Sequence, residues 1–238
     1  MASRREQKER LRREREERER QAKEAQARKR LVGYGAAGGL VLVAVVVIVV
    51  LLVAGGGGDG SQASADVYPG GGHVPKQKQF DIAKAAKAAG CKLRAVKATG
   101  VRDHTQDPNE RVHYDSNPPT NGRHFFEPVQ DGAYGKAPTD EQLVHNLEHG
   151  RVIIWFKPSL PRQTRADLKA LFDEDTYQML LIPRSKMPYQ VAASAWNGEP
   201  APTGVGQLLT CARTSTGMYD ALRTFRDENR SKGPEAIP

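Results

Sequence analysis

The sequence predicts a layered fold of class α/β or α+β. It predicts one compact extracytoplasmic domain, preceded by a charged helix and a single transmembrane helix. Three observations predict this plan. Residues 79–238 alternate between helical periodicity and short β-branched runs, the order expected of packed helix and sheet layers. Residues 31–54 carry no charge. The formal charge of +8 lies mostly in residues 1–30, which hold 13 Lys/Arg and 7 Glu, while residues 31–238 hold 23 basic and 21 acidic groups. The high isoelectric point therefore describes a tail, which argues against a compact nucleic-acid-binding domain.

Residues 4–30 read as a solvated helix. Glu6–Arg10, Glu9–Arg13, Glu14–Arg18, Glu16–Arg20, Glu19–Lys23 and Glu24–Arg28 are all in the favourable i,i+4 order. No aromatic residue interleaves these charges for base stacking, so the segment is read as a cytoplasmic tail rather than a nucleic-acid arm. Leu40–Ala54 is an unbroken run of Leu, Val, Ile and Ala, and the 24 residues of 31–54 suffice to cross a ~30 Å hydrocarbon core. Arg28, Lys29 and Arg30 precede it and only Asp59 follows closely, which predicts a cytoplasmic N-terminus and an exterior C-terminal domain. The rival reading is a signal peptide cleaved near Ala63-Ser64-Ala65; the charged leader and the long apolar run favour an uncleaved anchor. Residues 55–78, with Gly55 to Gly58 consecutive, read as a flexible linker.

In the domain over 79–238, Asp81 predicts the cap of a short helix ended by Gly90. Leu93–Val101 reads as a strand, and residues 103–138, rich in Pro, Gly, Asn and Asp, as a long ordered loop. Thr139 with Gln142 forms a capping box for a helix that stops at Gly150. Val152–Phe156 is a buried strand closed by Pro158. A helix opening at Ser159 or Leu160 presents Leu160, Thr164, Leu168, Leu171 and Phe172 on one face. Tyr177–Ile182 and Gln190–Trp196 read as strands, and Met218, Ala221, Leu222 and Phe225 mark a C-terminal amphipathic helix.

Several segments together resemble a known family. They are Val112-His113-Tyr114-Asp115-Ser116-Asn117-Pro118-Pro119-Thr120-Asn121-Gly122-Arg123-His124, Gly132-Ala133-Tyr134, Leu143-Val144-His145-Asn146-Leu147-Glu148-His149-Gly150, Ala195-Trp196 and Gly233-Pro234-Glu235. In this order they resemble the bacterial family named domain of unknown function 3105, over roughly residues 79–238. The resemblance implies a basic N-terminus, one membrane span and an extracytoplasmic domain, and it implies no reaction. Family members usually carry Ser where this chain has Asn121.

Cys91 and Cys211 are the two cysteines, and in an oxidising exterior two cysteines of one domain pair. The absence of Cys-x-x-Cys weakens a redox reading. His104, His113, His124, His145 and His149 fall within 46 residues, whereas His73 lies in the linker. His145 and His149 share one helix face, so they are candidate metal ligands, with His124 as third and His113 as fourth. Their alternative role is hydrogen bonding that stitches the loop to the helix. Zinc or copper suits such imidazoles, and Met187 and Met218 would favour copper, although Met218 reads as core and Met187 as surface. His145-Asn146-Leu147-Glu148-His149 also matches the H-x-x-E-H pattern of inverted zinc proteases, where Glu148 would activate a bound water. No Gly-x-Ser-x-Gly and no phosphate-binding loop occurs. The expected partners are the lipid bilayer and a protein at the cell surface. The functional alternatives are a binding module, a metal-dependent hydrolase and a purely structural ectodomain.

Overall fold

The Asp81 side chain accepts a hydrogen bond from the Lys84 amide and starts α1 (Ile82–Ala89), the first helix among the described residues. Gly90 ends it at φ +68°, a left-handed conformation that costs glycine little. This computed structural model describes residues 66–98 and 103–235. The predicted charged helix over 4–30, the apolar span over 31–54 and the early part of the linker lie outside the described residues. Among the described residues, no helix is long and apolar enough to cross a membrane.

Strand β1 (Cys91–Lys97) follows α1 directly, two residues ahead of its predicted start. The long segment after it contains three short strands, β2 (His104–Thr105), β3 (His124–Phe125) and β4 (Gly132–Ala133). Helix α2 (Asp140–Glu148) carries the predicted capping box of Thr139 and Gln142. Then come β5 (Val152–Phe156), α3 (Arg162–Glu174), β6 (Met179–Pro183), β7 (Val191–Asn197), β8 (Val205–Cys211) and α4 (Met218–Asn229).

The main sheet has the order β1-β8-β7-β5-β6-β4. Its β5, β6 and β4 are parallel, with α3 as the crossover between β5 and β6. Its β7, β8 and β1 run antiparallel. The domain is therefore α+β with a mixed sheet, narrowing the predicted choice of classes. Strand alternation divides the core between two faces. Val152, Ile154 and Phe156 pack on one side with Leu168, Leu171, Leu222 and Phe225 of α3 and α4. Ile153 and Trp155 pack on the other with Leu143, Val144 and Leu147 of α2. Cover on both faces explains why β5 reads as five consecutive apolar residues.

Several details differ from the sequence reading. β8 escaped it because Gly206 and Gln207 interrupt its apolar pattern. Gly206 is a packing requirement: a Cβ there would stand 2.3 Å from Thr120 Oγ1 and 2.5 Å from Asn121 Nδ2. Helix α3 begins at Arg162, and its buried face uses Ala166 rather than Thr164. Strand β6 begins at Met179, leaving Tyr177 exposed. Met187, expected at the surface, is buried beside Trp155 and Trp196. Part of the predicted linker also joins the domain. Tyr68 is buried, and its hydroxyl donates to the carbonyls of Tyr134 and Leu181. Cys91 and Cys211 are paired residues of β1 and β8 and form the disulfide.

Candidate metal centre

α2 and the 103–138 segment meet on the Trp155 face of the sheet. Asn146 makes the join in the manner of a neighbouring strand: its amide donates to the Val129 carbonyl at 2.7 Å, and its oxygen accepts from the Val129 amide at 3.0 Å. Buried Glu141 accepts from the Val112 amide at 2.9 Å. A second set of contacts fixes β2 against β3. Arg123 Nε donates to Glu110 Oε1 at 2.8 Å, Thr105 Oγ1 donates to the same carboxylate, and the amides of His124 and Phe126 donate to the carbonyls of Asp103 and Thr105. The parallel register then sets His104 opposite His124.

Four groups converge there. The ligand atoms of His104, His124, His145 and Glu148 all lie within 4.8 Å of one another. Three imidazoles pack together, with centroids 4.4 Å apart for His104–His124 and 4.8 Å for His104–His145, both edge to face, and 4.9 Å for the tilted pair His124–His145. Glu148 Oε2 lies 3.0 Å from His124 Nε2 and 3.5 Å from His104 Nε2. His124 and Glu148 are fully buried, while the His104 side chain is 35% exposed and opens the cluster to solvent.

Backbone carbonyls determine which ring nitrogens are available. A carbonyl oxygen only accepts, so His124 Nδ1–H donates to the Gly122 oxygen at 2.7 Å and His145 Nδ1–H to the Phe125 oxygen at 2.8 Å. In the neutral rings both Nε2 atoms are then bare, and that of His124 faces a carboxylate oxygen. Two acceptors at 3.0 Å need a cation or a proton between them. Carbonyl-anchored imidazoles with free Nε2 lone pairs are the usual preparation of metal-ligating histidines. Burial pushes His145 down from the ordinary 6.5 to about 4, with the Phe125 carbonyl opposing that shift. Burial and the nearby Arg151 charge lower His149 as well, against the opposing Glu235 and Glu148. Both rings are therefore neutral, the ligating form, at neutral pH.

His149 belongs to a second trio with Glu148 and Glu235. Its Nε2 lies 3.0 Å from His145 Nε2 and 3.4 Å from Glu235 Oε2. Of the four predicted ligands, His124 and His145 thus stand together, and His149 is adjacent in the second trio. His113 is exposed and belongs to neither group. Sequence reasoning passed over His104 and Glu235. The only signal for His104 was its place among the clustered histidines; for Glu235 it was the terminal Gly-Pro-Glu segment.

The family model described as protein of unknown function (DUF3105) matches residues 104–234, more than half of the chain. The chain belongs to the DUF3105 family. The match begins at His104 and spans His124, His145, Glu148 and His149, so this DUF3105 region carries the whole four-group cluster. No curated protein and no solved structure matches the chain.

Proposed function

We propose that this DUF3105 domain is a metal-binding module, held on the exterior face of a membrane by the apolar span over 31–54. It takes a divalent transition ion at His104, His124, His145 and Glu148. One observation carries the reading: two histidines with Nδ1 committed to backbone carbonyls bring bare Nε2 atoms together beside a buried carboxylate. Three imidazoles and one carboxylate suit zinc first, with copper, nickel and iron as competitors of similar preference. Met187 and Met218 lie in the hydrophobic clusters and outside this group, which removes the thioether argument for copper. The exterior location is supported by Arg28-Lys29-Arg30 before the span and by the Cys91–Cys211 disulfide, a pairing typical of oxidising compartments.

The hydrolase reading has less support. It requires His145 and His149 to share one ion, with Glu148 standing off it beside a water. Glu148 Oε2 instead sits at ligand distance from the His124 and His104 nitrogens, and His149 turns toward Glu235. The test is elemental analysis of the full chain, purified in detergent without chelator. Stoichiometric metal in the wild type, lost in His124→Ala, is expected. A protein that purifies metal-free and whose melting temperature ignores added zinc would show that a proton, not a metal, sits between His124 and Glu148.

A further inference from the structure

The terminal segment Ser231–Glu235 is held against the end of α2 by close backbone contacts. The Ser231 amide donates to the Gly150 carbonyl at 2.9 Å, and the Glu235 amide donates to the Glu148 carbonyl at 3.0 Å. On its other side, the Gly198 amide donates to the Lys232 carbonyl at 2.7 Å. Between these points there is no room for a side chain. A Cβ on Gly233 would stand 2.2 Å from both the Glu148 oxygen and the Gly150 nitrogen. A Cβ on Gly150, itself at φ +79°, would stand 3.0 Å from the Gly233 nitrogen. Two glycines therefore let two backbones touch, and this contact brings the Glu235 carboxylate to His149.

We infer that the clamped tail builds a second cation position from Glu148, His149 and Glu235, next to the first, with Glu148 shared between them. The inference rests on the metal reading of the cluster of three histidines and one carboxylate and adds a second ion to it. Glu148 belongs to both groups of converging ligand atoms. His145 Nε2 and His149 Nε2 lie only 3.0 Å apart, and the two ions, one at each nitrogen, take the place of the proton that these acceptors would otherwise share. A carboxylate has two oxygens and is the usual bridge in two-metal sites, where the ions lie ~3.5–4 Å apart. The two positions differ in chemistry. The first is rich in imidazole, whereas the second has one imidazole and two carboxylates and so accepts harder ions such as manganese alongside zinc. The second position depends on the tail, so any change that lifts residues 231–235 empties it and leaves the first intact.

The experiment measures bound zinc and manganese in the full chain after chelator stripping, reloading and dialysis. Electron paramagnetic resonance of the manganese form adds a separate readout of coupled ions. Wild type should hold two zinc ions and give an exchange-coupled manganese signal. Glu235→Gln, nearly identical in shape, should hold one zinc with at least ~10-fold weaker loading of the second, and an uncoupled signal. Gly233→Val keeps every ligand and should give the same result by displacing the tail. One zinc in both wild type and Glu235→Gln overturns the second position while leaving the first. Two zinc ions in Glu235→Gln overturn the assignment of Glu235. No zinc in wild type overturns the underlying metal reading and this inference with it.

Discussion

His104 and His124 are direct register partners across a parallel pairing only two residues long, and their rings meet edge to face with centroids 4.4 Å apart. So short a pairing holds little by itself. Its position depends on Arg123, Glu110 and Thr105, which tie the two strands together outside the ladder. A ligand pair is thereby assembled from residues twenty apart, in a segment that contains almost no regular structure.

His104→Ala should lower zinc occupancy of the full chain at least ~10-fold, as expected when a ligand or its support is removed. His113→Ala should leave occupancy unchanged, because that side chain is exposed and outside both clusters. Metal analysis of the two variants side by side checks the assignment, and equal losses would contradict it.

Asn146→Ala removes both bonds to the Val129 backbone and leaves that amide and carbonyl without them. The expected cost is about 1–2 kcal/mol, since two part-buried hydrogen bonds are lost. Denaturant unfolding measures it. Zinc affinity should fall too, because the same segment carries Phe125, whose carbonyl orients His145.

Gly206→Ala places a methyl where Thr120 Oγ1 and Asn121 Nδ2 now stand. The Thr120–Asn121 turn must move, and with it Gly122, whose carbonyl fixes the His124 tautomer. The expected outcome is a folded domain with weakened zinc binding. Circular dichroism and a zinc titration on the same sample separate the two effects. Unchanged affinity would detach this turn from the site.

Acid should destabilise the metal-free protein through His145. Its folded pKa of about 4 lies below the ordinary 6.5, so between these values the unfolded chain takes up the proton more readily. This contribution is fully present above pH ~6.5 and is lost as pH falls toward ~4, amounting to about 3 kcal/mol at ~1.4 kcal/mol per unit. Denaturant midpoints at about pH 7 and about pH 4.5 should differ in the wild type and much less in His145→Asn. The same burial means that proton competition at His145 begins well below the pH of ~6 expected from an ordinary imidazole.

Cys91→Ala/Cys211→Ala should lose about 3–5 kcal/mol, because the crosslink spans a sequence separation of 120 and restricts a long loop in the unfolded chain. Both residues are buried, so the pair of alanines also removes packing at the β1–β8 edge. Thermal unfolding of the variant against the oxidised wild type measures the loss, and equal melting temperatures would refute it.

Elements whose physical cause is local were legible along the chain. Asp81 and Gly90 bound α1 because a cap and a left-handed glycine act within one turn. Thr139 and Gln142 start α2 for the same reason, and five apolar residues in succession were enough to place β5. The disulfide followed from counting two cysteines, and His145 followed from helical spacing. The remaining features depend on contacts between segments far apart in the chain. The edge between β7 and β1 is filled by β8, whose Gly206 is set by contact with Thr120 rather than by strand propensity. His104 replaces His113 beside His124 because β2 pairs with β3, a register supported by the Arg123–Glu110 contact outside the ladder. Glu148, which the sequence offered as a base only under the alternative hydrolase reading, is brought to ligand distance from His124 and His104. Glu235 reaches His149 only because two glycines allow two backbones to touch. Periodicity and capping describe neighbours along the chain, whereas a cluster of ring nitrogens and carboxylates is defined by distances through space, and those are fixed only when the core has packed.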